Sequence, residues 1–245
     1  MLFAINSDAT VRMVRAIVLL ASLASSATLA ACAADDPAIR FLRSETHTFS
    51  RAERRLITQV ASSATKEIRT LLPGLPATIQ LTVRPGTDVI PETGEVADAM
   101  PPAGVMWTVD PARPGGVDAV TREWLRATLF HEYHHLVRSA HGVPQTIVER
   151  AMFEGLATVF ERAAGVRAPW GEYPSNVHEW AAELRQLPPD ASTRQWIHAH
   201  PDGRRWIGMR VGAYWADRAI AASGRSAADL VDVSTVELLR LAQSQ

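Results

Sequence analysis

From Phe49 onward the apolar positions recur at intervals that switch between helix and strand. Ser50 with Glu53 three residues later is a capping-box signature. Leu56, Val60, Ala64, Ile68 and Leu71 follow at helical spacing, so the pattern predicts a helix that Pro73-Gly74 ends. Thr78–Val83 alternates as a strand does, and Gly104–Val109 forms a second apolar strand. Between them, Pro85–Pro102 is rich in Pro, Gly and acids and too long for a simple connection, so it reads as a mobile functional rim. A long helix is expected over Val117–Ser139, stopped by His141-Gly142. The next is expected over Gln145–Ala164, with Pro144 at its first position and Val148, Met152, Leu156, Val159 and Ala163 as its apolar stripe. Further helices are expected near 175–187, 204–222 and 234–243. Strands first and helices afterwards predict an α+β domain over 49–245.

The N-terminal segment, up to Cys32, follows a different rule. Arg12 and Arg15 precede an uncharged apolar stretch, Ala16–Ala31, in the order of a secretory signal, and that stretch is short for a membrane span. Residues 1–31 are therefore expected to be a signal peptide, with Met13 as an alternative start. Leu29-Ala30-Ala31-Cys32 resembles the bacterial lipobox, which implies that Cys32, the single cysteine of the chain, carries the lipid and anchors the protein to a membrane. Ala33 stands where an Asp would favour inner-membrane retention, so the same resemblance implies the outer membrane, facing the periplasm. Residues 32–48 then form a lipidated linker. Composition adds one exclusion. With 25 basic and 26 acidic side chains the net charge is −1, which argues against a nucleic-acid partner recognised through its phosphates.

The candidate chemistry lies in Leu129-Phe130-His131-Glu132-Tyr133-His134-His135-Leu136. Residues four apart stand about 40° apart around a helix, so His131 and His135 project from one face and can share a metal ion. Glu132 is offset by about 100°, beside the ligands, where a carboxylate can act on a water in the open position. Two imidazoles hold an ion weakly, and the next helix offers Glu149, Glu154 and Glu161 as third ligand. Glu154, in Phe153-Glu154-Gly155-Leu156-Ala157, is the choice: its separation from His135 leaves room for a turn and a return across the first helix. Gly155 would let those two helices approach closely. His134 points away from the ligand face, His141 lies near the helix end where a cationic imidazole suits the dipole, and His178, His198 and His200 have no regular ligand spacing.

His-Glu-x-x-His, eighteen residues and then Glu resembles the gluzincin metallopeptidases. The fuller text, His-Glu-Tyr-x-His with Glu-Gly-Leu-Ala downstream, is similar to a bacterial family of predicted zinc-dependent proteases, as is Trp206-Ile207-Gly208 with Tyr214. The resemblance covers roughly Thr78 to Leu241. It implies a zincin-like fold, with a small N-terminal sheet, a mostly helical second half and the active-site helix between them. It also implies one zinc ion on His131, His135 and Glu154, with Glu132 as general base in the hydrolysis of a peptide or protein substrate. By the same resemblance Tyr214, with Arg210 on its helix, is the candidate oxyanion donor, and Val105–Val109 the strand that lines the cleft. Thr158 stands where related enzymes carry an acid that orients a ligand histidine, and Glu161 is its expected replacement. Two other readings fit the same residues: a catalytically silent envelope lipoprotein serving as a scaffold, and a zinc hydrolase of a non-peptide amide.

Overall fold

A computed structural model describes residues 36–162, 164–165 and 168–243. The signal segment 1–31 and Cys32 lie outside them, and no described helix is long and apolar enough to cross a membrane. The strands are β1 (Ala38–Phe41), β2 (Gln80–Pro85), β3 (Glu95–Met100) and β4 (Gly104–Val109). The α-helices are α1 (Arg51–Leu71), α2 (Gly116–Val120), α3 (Arg126–Ser139), α4 (Ile147–Arg162), α5 (Val177–Arg185), α6 (Ile207–Ser223) and α7 (Thr235–Gln243). A π-helical segment, Thr121–Leu125, joins α2 to α3, so the expected long helix is one body with a widened turn just before its chemistry. The fold is α+β, with a small sheet first and helices after it.

The sheet order is β1-β2-β4-β3. β1, β2 and β4 run parallel, and β3 pairs antiparallel with β4. Three expectations change as a result. The linker assigned to 32–48 contains β1, so the packed unit reaches back to Ala38. The rim Pro85–Pro102 contains β3, and its first half is tied down: Arg113 donates to the carbonyls of Pro91 and Glu92, and Glu92 pairs with Arg205. Finally, β4 is paired on both sides, so it cannot receive an added strand; among the described residues the edge strands are β1 and β3, and β3 is the one beside β4.

The capping box of α1 is present, with the Ser50 hydroxyl accepting from the Glu53 amide and the Glu53 carboxylate from the Ser50 amide. Its buried face is Ile57, Ala61, Ala64, Thr65 and Ile68. Ala64 and Ile68 of the expected stripe are buried, Val60 is partly buried, Ile57 and Ala61 replace Leu56 and Val60 as the buried positions of its first half, and Leu71 is exposed. α1, β3 and β4 pack against α3, whose Leu129, Phe130, Tyr133 and Leu136 are buried in the common core. The Tyr133 hydroxyl reaches Thr65 Oγ1 at 3.1 Å, joining the two helices at a buried polar point.

α4 begins two residues later than expected because Thr146 caps it. Thr146 Oγ1 accepts from the Glu149 amide at 3.2 Å, and Glu149 Oε2 accepts from the amides of Thr146 at 3.1 Å and Gln145 at 2.7 Å. Pro144 lies outside the helix. Of the expected stripe, Met152 and Leu156 are buried, Val148 and Val159 are partly buried, and Ala163 lies outside the described residues.

Gly155 does bring two helices together, but the partner is α6, not α3. A Cβ on Gly155 would stand 2.0 Å from the carbonyl carbon of Gly212, and one on Gly212 would stand 1.7 Å from the Ala151 carbonyl oxygen. Backbone meets backbone here, so neither side can yield by turning a side chain. Gly212→Ala is expected to destabilise the protein by roughly 3 kcal/mol or more, read from denaturant midpoints; a change within about 0.5 kcal/mol, typical of an unconstrained surface site, would show that the close approach is not required.

Candidate metal centre

α3 and α4 pack against each other, and their facing turns supply the candidate ligands. His131 and His135 point into a cleft of about 430 Å³, and Glu154 reaches the same point from α4. His131 Nε2 lies 3.0 Å from His135 Nε2 and 3.3 Å from Glu154 Oε2, and His135 Nε2 lies 3.1 Å from the same oxygen. Donors about 2.0–2.1 Å from a tetrahedral ion stand about 3.3–3.4 Å apart, so this triangle is close to the face such an ion requires. Three lone-pair atoms converge on one point where only a proton or a cation can satisfy them together. The donor set therefore fits a divalent metal such as zinc.

The surroundings hold that triangle in place. His131 Nδ1 meets Glu161 Oε2 at 3.1 Å, which fixes the tautomer and leaves Nε2 directed at the centre. Glu161 takes the orienting role that buried Thr158 cannot fill, and it also accepts from Trp170 Nε1 at 3.2 Å. His135 stacks on Phe153, with ring centroids 4.3 Å apart and planes 7° apart. Its Nδ1 is buried without a hydrogen-bond partner among the described residues.

Burial alone would raise the Glu154 carboxyl, but the charge and hydrogen bonds of His135 and His131 hold it well below the usual carboxylate range. Burial alone would lower His131, yet the hydrogen bonds from Glu154 and Glu161 hold it well above the ordinary imidazole value. A proton and a cation would compete for the same lone pair at this point.

Glu132 is 6% exposed and lines the same cleft. Burial pushes its carboxyl up to about 8, opposed by the charge of His131 and by a backbone hydrogen bond from Ala99. Glu149, by contrast, serves the α4 cap at the surface and takes no part in the cluster. His134 is a core histidine: it is fully buried, its Nε2 faces the Ala227 carbonyl at 3.4 Å, and burial holds it well below the ordinary imidazole value.

Residues 57–240 match the family model described as predicted Zn-dependent protease (DUF2268). The chain belongs to that family. No curated protein and no solved structure matches it. In this member of the predicted Zn-dependent proteases, the matched span runs from α1 into α7 and takes in every residue of the cluster just described.

The structure does not bring Tyr214 to the cleft of this family member. Tyr214 packs edge-on against Tyr173 at 5.6 Å, with Arg218 over its ring, and it is not among the residues that line the cleft. Arg210 is likewise engaged elsewhere, donating to the Pro169 carbonyl at 2.9 Å. The histidine that does reach the cleft from the helical half is His198, at the end of the π-helical segment Arg194–His198. Burial lowers it below the ordinary imidazole value, partly offset by the charge of Glu154. Sequence spacing missed His198 because it lies far along the chain from His135, in a stretch without regular periodicity. It also missed Glu95, whose carboxyl burial pushes up to about 7 against hydrogen bonds from Trp107 and Thr128.

Proposed function

We propose that this chain is a gluzincin-type zinc peptidase that hydrolyses peptide bonds by general-base attack of water. The observation that carries the reading is the convergence of His131 Nε2, His135 Nε2 and Glu154 Oε2 on one point of a cleft that also holds Glu132. His131, His135 and Glu154 would hold the ion, which when bound supplies polarisation of the scissile carbonyl and a water of lowered pKa. Glu132 accepts the proton of the attacking water and delivers it to the departing amine; its buried setting suits a carboxyl that must gain and lose a proton near neutral pH. His198, in place of Tyr214, donates to the developing oxyanion, since a neutral imidazole still carries one N–H.

The substrate is received by β3. Beyond Glu95, whose outer edge bridges to Ile90, this strand has no further strand partner among the described residues, and Val96 to Ala99 line the cleft, so an extended peptide can add to the sheet there and pass the cluster. That moves the expected docking strand from Val105–Val109 to its neighbour.

The reading includes a lipid anchor at Cys32 and an envelope location, supported by the lipobox-like text Leu29-Ala30-Ala31-Cys32. Chelator-treated protein is expected to lose cleavage of a proteome-derived peptide mixture and to recover it when one equivalent of zinc is restored. Cleavage that survives complete removal of metal would sink the proposal.

A further inference from the structure

The cleft lining includes a group of side chains that the reaction itself does not use, and they frame a side pocket. One of them is Glu95, the first residue of β3, which is 3% exposed. Trp107 Nε1 at 2.8 Å and Thr128 Oγ1 at 3.1 Å both donate to Oε2. A carboxylate offers about four acceptor sites; these two close bonds fall on one oxygen, and Thr93 is a third, weaker hydrogen-bonding neighbour of the carboxyl. Thr128 stands a little less than one turn before His131 on α3, so the pocket adjoins the candidate metal centre. The walls are Trp170, Trp206 and Met209, part of an apolar cluster separate from the main core, with Ile90 of the rim packed against it. The Trp170 and Trp206 rings lie 5.2 Å apart at 60°. Trp206 is held at φ 61, a backbone conformation bulky residues rarely adopt, and there it forms the wall of the pocket.

We propose that this pocket takes a basic side chain of the substrate, lysine or arginine, with Glu95 as its counter-ion. The inference rests on the peptidase reading for what enters the cleft. A pocket built for leucine or phenylalanine gains nothing from a buried carboxylate, which is costly without a partner. A structural acceptor for Trp107 would be met equally by a neutral amide. A long basic side chain uses both halves of the pocket: its methylenes lie along Met209 and the indoles, and its cationic head meets aromatic faces and the Glu95 carboxylate. Of the protein's own cations, Arg150 stands over Phe153 on the His135 side, and Arg205, which stands over the Trp206 ring at 4.8 Å, is already paired with Glu92, so neither is the partner of Glu95. Glu161 adds a second buried carboxylate beside it, which raises the cost of leaving Glu95 ionised alone and so favours an incoming cation.

The test measures binding by calorimetry to zinc-loaded Glu132→Gln protein, so that turnover does not intervene. Short peptides are compared that carry lysine, norleucine or acetyl-lysine at each position in turn. At one position lysine is expected to bind about tenfold tighter or better than either neutral analogue, and Glu95→Gln, which keeps an acceptor for Trp107, is expected to reduce that preference to within about twofold. The lysine and acetyl-lysine comparison needs no change at Glu95, so it holds even if that variant folds poorly. Absence of a lysine preference at every position, or its persistence in folded Glu95→Gln protein, overturns the inference. A lysine preference without hydrolysis by the wild-type protein would sink the peptidase reading and keep the pocket; hydrolysis without the preference would do the reverse.

Discussion

Alanine at His131, His135 or Glu154 is expected to remove zinc and to lower thermal stability in the same step. Two ligands of three cannot close the triangle of contacts that the structure shows. A ligand that binds only the folded state stabilises it by RT ln(1 + [L]/Kd), about 4 kcal/mol at a thousandfold excess over Kd. The check is elemental analysis together with melting curves with and without chelator. Wild-type protein should contain about one zinc per chain and melt earlier when chelated, whereas each variant should contain little zinc and melt at a temperature the chelator does not change. Glu149→Gln is the control: its side chain caps α4 with acceptor oxygens that an amide also offers, so zinc should stay. Zinc lost from the Glu149 variant and kept in the Glu154 variant would show that the third ligand is misassigned.

Much of this centre is legible in the sequence because helical geometry is local. His131, Glu132 and His135 share one turn and a half, and Glu154 lies on the next helix after a short connection. Glu161 follows Glu154 by seven residues, about 20° short of two full turns, so both must face α3; Glu161 duly holds His131 Nδ1. The same rule shows why Tyr214 stands away from the cleft. It is five residues beyond Met209, about 140° further around α6, and Met209 is the residue of that helix that lines the cleft. The family resemblance names a residue of α6 without fixing which face of that helix meets the cleft.

What is not legible depends on pairing across the chain. β1 is short and owes its strand state to parallel pairing with β2, a segment that arrives only after the whole of α1. β3 places a glutamate at a buried position, which on sequence argues for a loop. That residue is tolerated because Trp107, on the neighbouring strand, and Thr128, on α3, satisfy it. The α1 stripe holds at Ala64 and Ile68 but is one position out in its first half, because Leu56 and Val60 can face either way on an arginine-rich helix and packing in the common core selects Ile57 and Ala61 instead. His198 reaches the cleft only because the π-helical segment that ends with it folds back beside α6.

Glu132→Gln separates holding the ion from using it. The amide has the shape of the carboxylate and the same buried position, 6% exposed, and it leaves His131, His135 and Glu154 untouched. Near-stoichiometric zinc is therefore expected. The amide cannot accept the proton of the attacking water, and loss of a positioned general base typically costs roughly two to four orders of magnitude in rate. Turnover should fall by that amount with little change in substrate affinity, because in the proposed mechanism Glu132 acts on the water and not on a peptide added along β3. Single-turnover rates and zinc content measured on one preparation decide the matter. A variant that keeps its zinc and hydrolyses at the wild-type rate would remove Glu132 from the mechanism. A variant that loses its zinc would instead make Glu132 part of the metal cradle, and the geometry argues against that, since the three converging donor atoms belong to other residues.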